Sequence, residues 1–378
     1  MMDGLLVLGV GLAAGYALLT GWYLHCWREE PEGEPPKEAA PRTPLSVIVP
    51  MRNEAANLPA CLEALSRQRY PLPLWELILV DDHSEDESAE IARGYPLPNL
   101  RLLRLEEAAP RSFGKKAALE AGIRAARGEL IVTTDADCRM GPEWLQALAA
   151  AYEAKGWCFL AAPVHLHEGE GVLSRFQALD MLGMMAATLA GIRSGLYHMA
   201  NGANLAYPRR VFQAVGGFEG IEGRASGDDV LLMQKIARRY PGRLTFLKSR
   251  AAEVWTAPQP TLRSFFWQRF RWASKSDAYR EPFLLLVLGG VLLFCLLLLS
   301  VPFWALAGWK YLAAGLCLLA VKSFSDYWML NAVARWANRS HLLHKYWLMQ
   351  LLHIAYIAGV GVLANLWKQY PWKGRKVR

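Results

Sequence analysis

The hydrophobic pattern between residues 45 and 207 alternates between two kinds of segment. Short runs rich in Val, Ile and Leu, typical of buried strands, are separated by stretches whose apolar residues recur at helical spacing. The predicted strands are 45–50, 75–80, 99–105, 130–133, 157–163 and 199–207, the last with a break at Gly202, and helices are predicted to begin near 57, 84, 114 and 142. This alternation predicts an α/β fold with a mostly parallel sheet and helices on both faces.

Both ends of the chain carry much longer apolar runs. Gly4–Trp27 and Pro282–Ala307 contain no charged residue, and each is long enough to cross a bilayer as a helix. Two further candidates are Tyr311–Ala334, which contains two charged residues, and Tyr346–Trp367. The sequence therefore predicts transmembrane helices at both ends of a globular middle.

These runs set the predicted domain organisation. It comprises an N-terminal transmembrane anchor at 1–28, a Pro- and Glu-rich linker at 29–43, a globular domain at 44–281, a membrane region at 282–367 and a basic tail at 368–378. The first run is expected to be retained rather than cleaved as a signal peptide, because Asp3 stands where a basic start is usual and the run is too long. The C-terminal region is predicted to hold two or three spans.

The distribution of basic residues bears on orientation. The basic tail favours a cytoplasmic C-terminus. Three full spans after a cytoplasmic domain would place that tail outside, whereas an interfacial helix at 311–334 would leave the basic segment Arg335–Lys345 on the outer side. The prediction is an integral protein of the cytoplasmic membrane whose globular domain faces the cytoplasm, with the number of spans open. Within 311–334, Lys322 and Asp326 are four residues apart and are expected to pair with each other rather than line a polar path.

Composition excludes several classes of protein. The net charge of +8 is modest and much of it lies in the tail, which favours anionic lipid headgroups as partners over nucleic acid. The six cysteines show no CxxC and no paired spacing, so neither a disulfide framework nor a zinc site is expected.

Acidic residues end two of the predicted strands. Asp135 and Asp137 follow the strand 130–133 with one residue between them, so they can face one small volume beyond the strand end. Asp81 and Asp82 follow the predicted strand 75–80. Ligands of open α/β sheets bind at the carboxyl ends of strands, and paired carboxylates suit a divalent cation that carries a diphosphate. Each acid has a structural alternative as a turn residue or a helix cap, but two acidic strand ends on one sheet favour a shared site.

No glycine-rich phosphate loop accompanies these acids. Neither GxGxxG nor GxxxxGK[ST] follows a predicted strand, which disfavours a Rossmann dinucleotide fold and a P-loop nucleotidase. A metal ion would therefore have to carry the charge of a bound diphosphate.

Two further segments have candidate chemistry. Gly227-Asp228-Asp229 opens an amphipathic helix, where acids are also stabilised by the helix dipole alone. The segment 264–273, SFFWQRFRWA, precedes a membrane run and has the composition of an interfacial helix. Alternatively its polar residues turn inward, where arginine binds phosphate oxygens and tryptophan offers a flat face to a sugar ring.

Together these motifs resemble family 2 glycosyltransferases. VDDHS at 80–84, DAD at 135–137, GDD at 227–229 and QRFRW at 268–272 match, in order, the D, DxD, D and QxxRW motifs of the membrane-embedded branch. That branch includes cellulose, chitin, hyaluronan and poly-N-acetylglucosamine synthases and ceramide glucosyltransferases. The resemblance covers roughly residues 44–280 and implies a fold of the GT-A type.

The resemblance also implies roles for individual residues on the donor side. Asp81 and Asp82, with Glu54, would contact the nucleoside of a nucleotide-sugar, and Lys115 or Lys116 would lie beside the nucleotide. Asp135 and Asp137 would hold Mg²⁺ or Mn²⁺ on the diphosphate, with Asp135 also close to the substrate.

On the acceptor side, Asp229 would be the general base, with Asp228 beside it. Gln268, Arg271 and Trp272 would bind the diphosphate and form the floor of the acceptor site. The third motif here is Gly-Asp-Asp, where the family usually has Thr-Glu-Asp or Gly-Glu-Asp. This keeps Asp229 in register and weakens the assignment of Asp228.

The expected activity is an inverting, metal-dependent transfer of a sugar from a nucleotide-diphosphate sugar, with a UDP-sugar as the expected donor. The acceptor would be a lipid or a glycan at the cytoplasmic membrane face. One alternative is a processive polysaccharide synthase similar to the poly-N-acetylglucosamine synthases, although few membrane segments argue against a long secretion channel. The other is an inactive scaffold that binds nucleotide-sugars, which the presence of Asp137, Asp229 and Arg271 disfavours.

Overall fold

The computed structural model describes residues 2–33, 41–108, 114–169, 171–221, 227–275, 278–367, 370–372 and 375–377. Residues 34–40 of the predicted linker and residues 368, 369, 373, 374 and 378 of the predicted tail lie outside the described residues.

The described residues form strands and helices along nearly the whole chain. The strands are β1 (Leu45–Met51), β2 (Trp75–Asp81), β3 (Leu100–Arg104), β4 (Leu130–Thr133), β5 (Arg139–Met140), β6 (Phe159–Ala161), β7 (Val164–Leu166), β8 (Leu205–Pro208), β9 (Leu244–Phe246), β10 (Val254–Thr256), β11 (Tyr370–Trp372) and β12 (Arg375–Val377). The helices are α1 (Met2–Glu29), α2 (Leu58–Ser66), α3 (Ser88–Gly94), α4 (Leu105–Ala108), α5 (Lys115–Ala125), α6 (Trp144–Lys155), α7 (Val172–Ser194), α8 (Arg209–Ala214), α9 (Asp228–Arg239), α10 (Leu262–Ala273), α11 (Pro282–Trp304), α12 (Trp309–Trp336) and α13 (Tyr346–Leu366).

The chain divides into two compact units, neither of which is continuous in sequence. The helical unit comprises Met1–Glu30, Glu168–Tyr197 and Pro258–Tyr370. The sheet unit comprises Pro31–His167, His198–Ala257 and Pro371–Arg378. This division differs from the predicted globular domain at 44–281, because α7 and α10 pack with the long helices α1, α12 and α13 rather than with the sheet.

The sheet unit contains a seven-stranded sheet in the order β3-β2-β1-β4-β8-β6-β9. β1 is parallel to β2 and β4, β2 is parallel to β3, and β6 is parallel to β9, whereas β8 runs antiparallel to its two neighbours. The predicted mostly parallel α/β fold is confirmed. The consequence for function is that β1, β2 and β4 end at the same edge of the sheet.

Both faces of the central strands are covered, which explains their continuous apolar sequence. Val47 and Leu79 face a core shared with α2 and α6, where Leu62 and Leu148 are fully buried. On the opposite face α5 lies close to the sheet at Gly122, where an added Cβ would approach Ile48 Cγ2 to 2.5 Å.

Two predicted elements differ from the observed ones. The helix predicted from Ser84 begins only at Ser88, because the Ser84 hydroxyl accepts a hydrogen bond from the Asn53 N–H at 3.1 Å instead of capping a helix. The strand predicted at 199–207 is shortened to β8, since residues 201–204 form a turn that includes Gly202.

Among the described residues of the helical unit, three helices are long and apolar enough to cross a membrane: Met2–Glu29, Pro282–Ala307 and Tyr346–Leu366. They coincide with three of the predicted runs. The fourth run forms α12, which carries Lys322 and Asp326. Lys322 Nζ lies 2.7 Å from Asp326 Oδ2, so the predicted pairing within one helix is confirmed.

Candidate active site

The carboxyl ends of three parallel strands gather the predicted acids of the sheet unit. Asp81 is the last residue of β2, Asp135 comes two residues after β4, and Glu54 comes three residues after β1. The register pairs Met51 with Asp81, so the ends of β1 and β2 are level. This is the edge at which open α/β sheets bind ligands.

Asp81 and Asp82 are both 3% exposed and order the turn after β2. Asp81 Oδ1 accepts from the Ser84 N–H at 3.0 Å. Asp82 Oδ2 accepts from the Gly114 N–H at 2.9 Å, which ties the start of α5 to the end of β2. Both acids therefore stabilise the turn and the start of the helix, which is the structural alternative considered for them. Their contact with a nucleoside stays a prediction.

Lys115 links two of the acidic motifs. Its Nζ lies 2.5 Å from Asp135 Oδ1 and 3.8 Å from Asp228 Oδ2. Burial by itself lowers the pKa of Lys115, but the charges of Asp135 and Asp228 outweigh it and raise that pKa well above its usual value. The ammonium group therefore stays charged between the DAD and GDD motifs.

Lys116, the other candidate of the pair, is directed elsewhere. Its Nζ donates to the Ile221 carbonyl oxygen at 2.6 Å, so it supports the chain before α9. We call the carboxyl ends of β1, β2 and β4, with Glu54, Asp81 and Asp135, the acidic edge. Of the two lysines, the geometry favours Lys115 as the one that meets a ligand there.

Asp137 is held by two neighbours. Its Oδ2 accepts from the Thr256 hydroxyl at 3.1 Å, and its Oδ1 accepts from the Cys138 thiol at 3.6 Å. Burial, and then the charges of Asp135 and Glu54, raise the pKa of Asp137. Sequence reasoning missed Thr256, because β10 belongs to a separate three-stranded sheet and no local pattern announces its contact with the DAD motif.

Asp229 lies at the start of α9 and is oriented by backbone amides. Its Oδ2 accepts from the Gly202 N–H at 3.2 Å and its Oδ1 from the Val230 N–H at 2.8 Å. Gly202 is also close to the lysine: a Cβ there would lie 3.3 Å from Lys115 Nζ and 3.4 Å from Asp228 Oδ2. Asp228, predicted beside the catalytic acid, thus faces Lys115, and Gly202 lies close to both Asp228 and Asp229.

The acidic edge has the chemistry of a divalent cation site completed by a ligand. In the part of the chain that the structure describes, no group of three or more His, Cys, Asp or Glu side chains is arranged to hold a metal. Asp135 and Asp137 supply two carboxylates; burial, and then the charge of Asp135, raise the pKa of Asp137, and a bound cation would favour its charged form. The residues therefore fit Mg²⁺ or Mn²⁺ whose remaining ligands come from a diphosphate and water.

The QxxRW residues lie on α10 in the helical unit. Gln268, Arg271 and Trp272 are partly buried, whereas Arg269 between them is 1% exposed. The helix begins with a capping box in which Thr261 accepts from the Ser264 N–H. The predicted contacts of these three residues with diphosphate and acceptor stay predictions.

Residues 46–216 match the family model described as Glycosyl transferase family 2. The chain carries a domain of the glycosyltransferase type. The matched segment contains β1, β2, β4 and β8, and with them the VDDHS and DAD motifs and Gly202.

Curated relatives match over part of their length. "Glycosyltransferase AglE" of Haloferax volcanii is 36% identical over 104 residues, which is 27% of this chain and 33% of that protein. "Dodecaprenyl-phosphate galacturonate synthase" of Rhizobium johnstonii is 38% identical over 29% of this chain and 33% of its own. "Undecaprenyl-phosphate 4-deoxy-4-formamido-L-arabinose transferase" of Yersinia enterocolitica is 32% identical over 45% of this chain and 50% of its own. The chain thus spans one third to one half of these relatives.

Among solved structures, the mannosyltransferase PcManGT of Pyrobaculum calidifontis, in complex with GDP-Man and Mn²⁺, is similar along nearly the whole chain. The TM-score is 0.59, with 20% identity over 97% of this chain and 99% of that one. At this identity the likeness concerns the fold, and it confirms the expected GT-A-like architecture.

Proposed function

We propose that the chain is a membrane-bound, inverting glycosyltransferase that moves a sugar from a nucleotide-diphosphate sugar to a lipid-phosphate acceptor at the cytoplasmic face. The observation that carries this proposal is the convergence at one sheet edge of Asp135, Lys115 and Asp228, with Asp229 held beside them by Gly202. An arrangement of two carboxylates, a charged lysine and a fixed acid suits the displacement of a diphosphate.

On the donor side, the acidic strand ends would hold the nucleotide-sugar. Asp81, Asp82 and Glu54 would face the nucleoside, while Lys115 would approach the diphosphate once Asp135 exchanges its ammonium partner for a cation. A bound Mg²⁺ or Mn²⁺ on Asp135 and Asp137 would neutralise the charge that develops on the leaving diphosphate. That Mn²⁺ accompanies GDP-Man in PcManGT supports this choice of ion.

On the acceptor side, the role of Asp229 depends on the acceptor. A hydroxyl must lose its proton as the glycosidic bond forms, and a positioned carboxylate can accept that proton. A phosphate monoester, with a second pKa of about 6, brings an oxygen that is already ionised near neutral pH. For a lipid phosphate, Asp229 would therefore orient the acceptor rather than deprotonate it, and the resemblance assigns diphosphate and acceptor binding to Gln268, Arg271 and Trp272. In either case one in-line displacement inverts the anomeric carbon.

The names of two relatives support the phosphate acceptor. The Rhizobium protein is named for dodecaprenyl phosphate and the Yersinia protein for undecaprenyl phosphate. The three apolar helices would hold the chain at the membrane in which such a lipid lies.

The test is nucleotide release and glycolipid formation by purified protein in lipid vesicles. A panel of UDP- and GDP-sugars is supplied with Mn²⁺ or EDTA, and the vesicles contain either undecaprenyl phosphate or undecaprenol. We expect release that requires both Mn²⁺ and the phosphate lipid, with UDP-sugars favoured. Asp137→Asn should abolish release, while Glu143→Gln, an exposed acid paired with Arg69, should leave it unchanged.

The acceptor class is decided by Asp229→Asn. With a phosphate acceptor we expect a loss of kcat smaller than about 10²-fold, because no proton has to be removed, whereas a hydroxyl acceptor would show the full loss of about 10²–10⁴-fold. Transfer to undecaprenol or to a soluble glycan instead would restore the hydroxyl or polymer hypothesis. If every donor stayed intact under all conditions, the inactive scaffold would be the better description.

A further inference from the structure

Helices α7 and α10 of the helical unit are joined by a buried ion pair. Arg269 NH2 lies 2.7 Å from Asp180 Oδ2, and the two side chains are 1% and 8% exposed. Burying two charges carries a desolvation cost that their attraction offsets only when the pair is intact. A pair of this kind is weak evidence for stability and better evidence for a fixed arrangement of the helices that carry it.

The Arg269 guanidinium is enclosed by aromatic and sulfur groups on its other sides. Its central carbon lies 5.1 Å from the ring centre of Phe265 and 4.2 Å from that of Trp272, and NH1 lies 3.9 Å from Met184 Sδ. Planar stacking of this kind is available to arginine and much weaker for lysine. Arg269 therefore contacts one residue of the QxxRW motif directly while its charge is balanced by Asp180.

Because α10 is a helix, the position of Arg269 also determines the direction of the other side chains of the QxxRW motif. Phe265, Arg269 and Trp272 are spaced by four and three residues, so they share one side of α10. Gln268 and Arg271 are spaced by three and lie on the adjacent side. Turning α10 about its axis would move Arg269 away from Asp180 and leave two buried charges unpaired.

We propose that Asp180 is a positioning residue that acts through Arg269 to fix the rotation of α10. It thereby sets the direction in which Gln268, Arg271 and Trp272 face. The expected effect on the acceptor KM rests on the proposed function, in which these three residues bind the diphosphate and the acceptor.

His353 on α13 lies near both ion pairs, with its Nε2 3.9 Å from Asp180 Oδ1 and its Nδ1 3.4 Å from Lys322 Nζ. The first distance exceeds that of a hydrogen bond, so Arg269 is the close partner of Asp180.

The test compares two doubly substituted proteins that each replace one buried ion pair by apolar side chains of similar size. Asp180→Leu with Arg269→Met removes the pair on α10, and Lys322→Met with Asp326→Leu removes a matched pair within α12. Replacing both partners leaves no unpaired buried charge, so we expect both proteins to fold. The α12 variant should have the lower melting temperature, because Asp326→Leu also removes the acceptor of the Tyr16 and Gln350 hydrogen bonds. Only the first should raise the KM for the lipid acceptor, by about tenfold or more, because misplacing a substrate-facing group by 1 Å can cost up to about 10²-fold.

A conservative variant separates the two contacts of Arg269. Arg269→Lys keeps the charge opposite Asp180 but loses the planar stacking on Trp272. It should give an acceptor KM between those of the parent and the α10 double variant. Parental KM values in both double variants would overturn the proposal, as would an equal rise in both.

A measurement independent of activity keeps this inference distinct from the proposed function. Of the six free cysteines, Cys317 is exposed and the others are buried. In a Cys317→Ser background, Gln268→Cys is labelled with a water-soluble maleimide. We expect the labelling rate to change several-fold when the α10 pair is removed and to stay constant when the α12 pair is removed. If the parent transferred no sugar at all, this rate would still decide whether Asp180 positions α10, and an unchanged rate would contradict it.

Discussion

The two units bury charge in opposite ways. In the helical unit two buried cations each have a carboxylate partner, since Lys322 pairs with Asp326 and Arg269 with Asp180. At the acidic edge of the sheet unit, Lys115 interacts with Asp135, Asp228 and Asp229, while Asp137 interacts with Asp135 and Glu54, so these carboxylates outnumber the lysine. A balanced cluster holds helices together, whereas an unbalanced one has affinity left for a cation and for the ligand that the cation carries.

Solvent exposure follows the same division. The side chains of Lys322 and Asp326 are 0% and 6% exposed, and Tyr16 and Gln350 donate to the Asp326 carboxylate at 2.5 and 2.7 Å. Lys115 and Asp135 are 20% and 35% exposed, so water and ligand can reach them. The difference implies that removing one charge should lower the stability of the fold in the Lys322–Asp326 cluster. Removing a carboxylate at the acidic edge should instead raise it.

The largest expected effect is on the α12 pair. Lys322→Met alone leaves Asp326 charged and buried, and we expect it to destabilise the protein by about 3–5 kcal/mol. The measurement is thermal or denaturant unfolding in detergent micelles. Adding Asp326→Leu should recover part of this loss, because it removes the unpaired charge but also the acceptor of the Tyr16 and Gln350 hydrogen bonds. A double variant no more stable than Lys322→Met would mean that the unpaired charge is not the cause.

A smaller effect is expected from substituting alanine for two glycines of the sheet unit, one of which should affect stability and the other activity. An added Cβ at Gly128 would lie 2.5 Å from backbone atoms of Leu45 and Ser46, so Gly128→Ala should cost about 1–3 kcal/mol of stability. At Gly202 the nearest atom is Lys115 Nζ at 3.3 Å, a flexible side-chain end. Gly202→Ala should therefore keep the melting temperature and lower kcat/KM for the donor about tenfold, which is about 1.4 kcal/mol of transition-state binding.

The smallest effect concerns Asp137. Its pKa is raised by burial and by Asp135 and Glu54, so the native state binds a proton more tightly than the unfolded chain does. Stability from that proton is present below the ordinary aspartate pKa and is lost as pH rises through the native pKa. Asp137→Asn should thus raise the melting temperature at pH 7 in EDTA by about 2 °C while abolishing activity.

The pH dependence of the melting temperature tests whether the charge of Asp137 causes this gain. The gain from Asp137→Asn should shrink as the pH falls towards the ordinary aspartate pKa of about 3.9, and Mn²⁺ should remove it at pH 7 by stabilising the parent. A gain that persisted at acid pH would assign it to packing instead.

Much of the sheet unit could be predicted because its signals are local. Buried parallel strands are continuously apolar, and the acids stand directly after β2 and β4, so both the fold and the edge were predictable. The pairing of Lys322 with Asp326 was likewise predictable, since four residues in a helix bring two side chains together.

The contacts that were missed depend on residues distant in sequence. Thr256 reaches Asp137 across 119 positions, and Gly202 reaches Asp229 across 27. Asp180 lies in a helix with no motif, and the intervening position of QxxRW that holds Arg269 is unspecified in the motif. The sequence also did not indicate that α7 and α10 pack with the long helices. The hydrophobic periodicity of a helix does not identify the element that it packs against.

The order of β4, β8 and β6 in the sheet has a consequence for biosynthesis. β6 ends at Ala161, yet it meets β4 only through β8, which begins at Leu205, after the whole of α7 has been translated. A nascent chain released before residue 208 would carry both motif strands without the strand that joins them to β6. Synthesis of a helical-unit segment is therefore a prerequisite for closing the sheet, and truncations that remove α7 would have to supply another connection between β7 and β8.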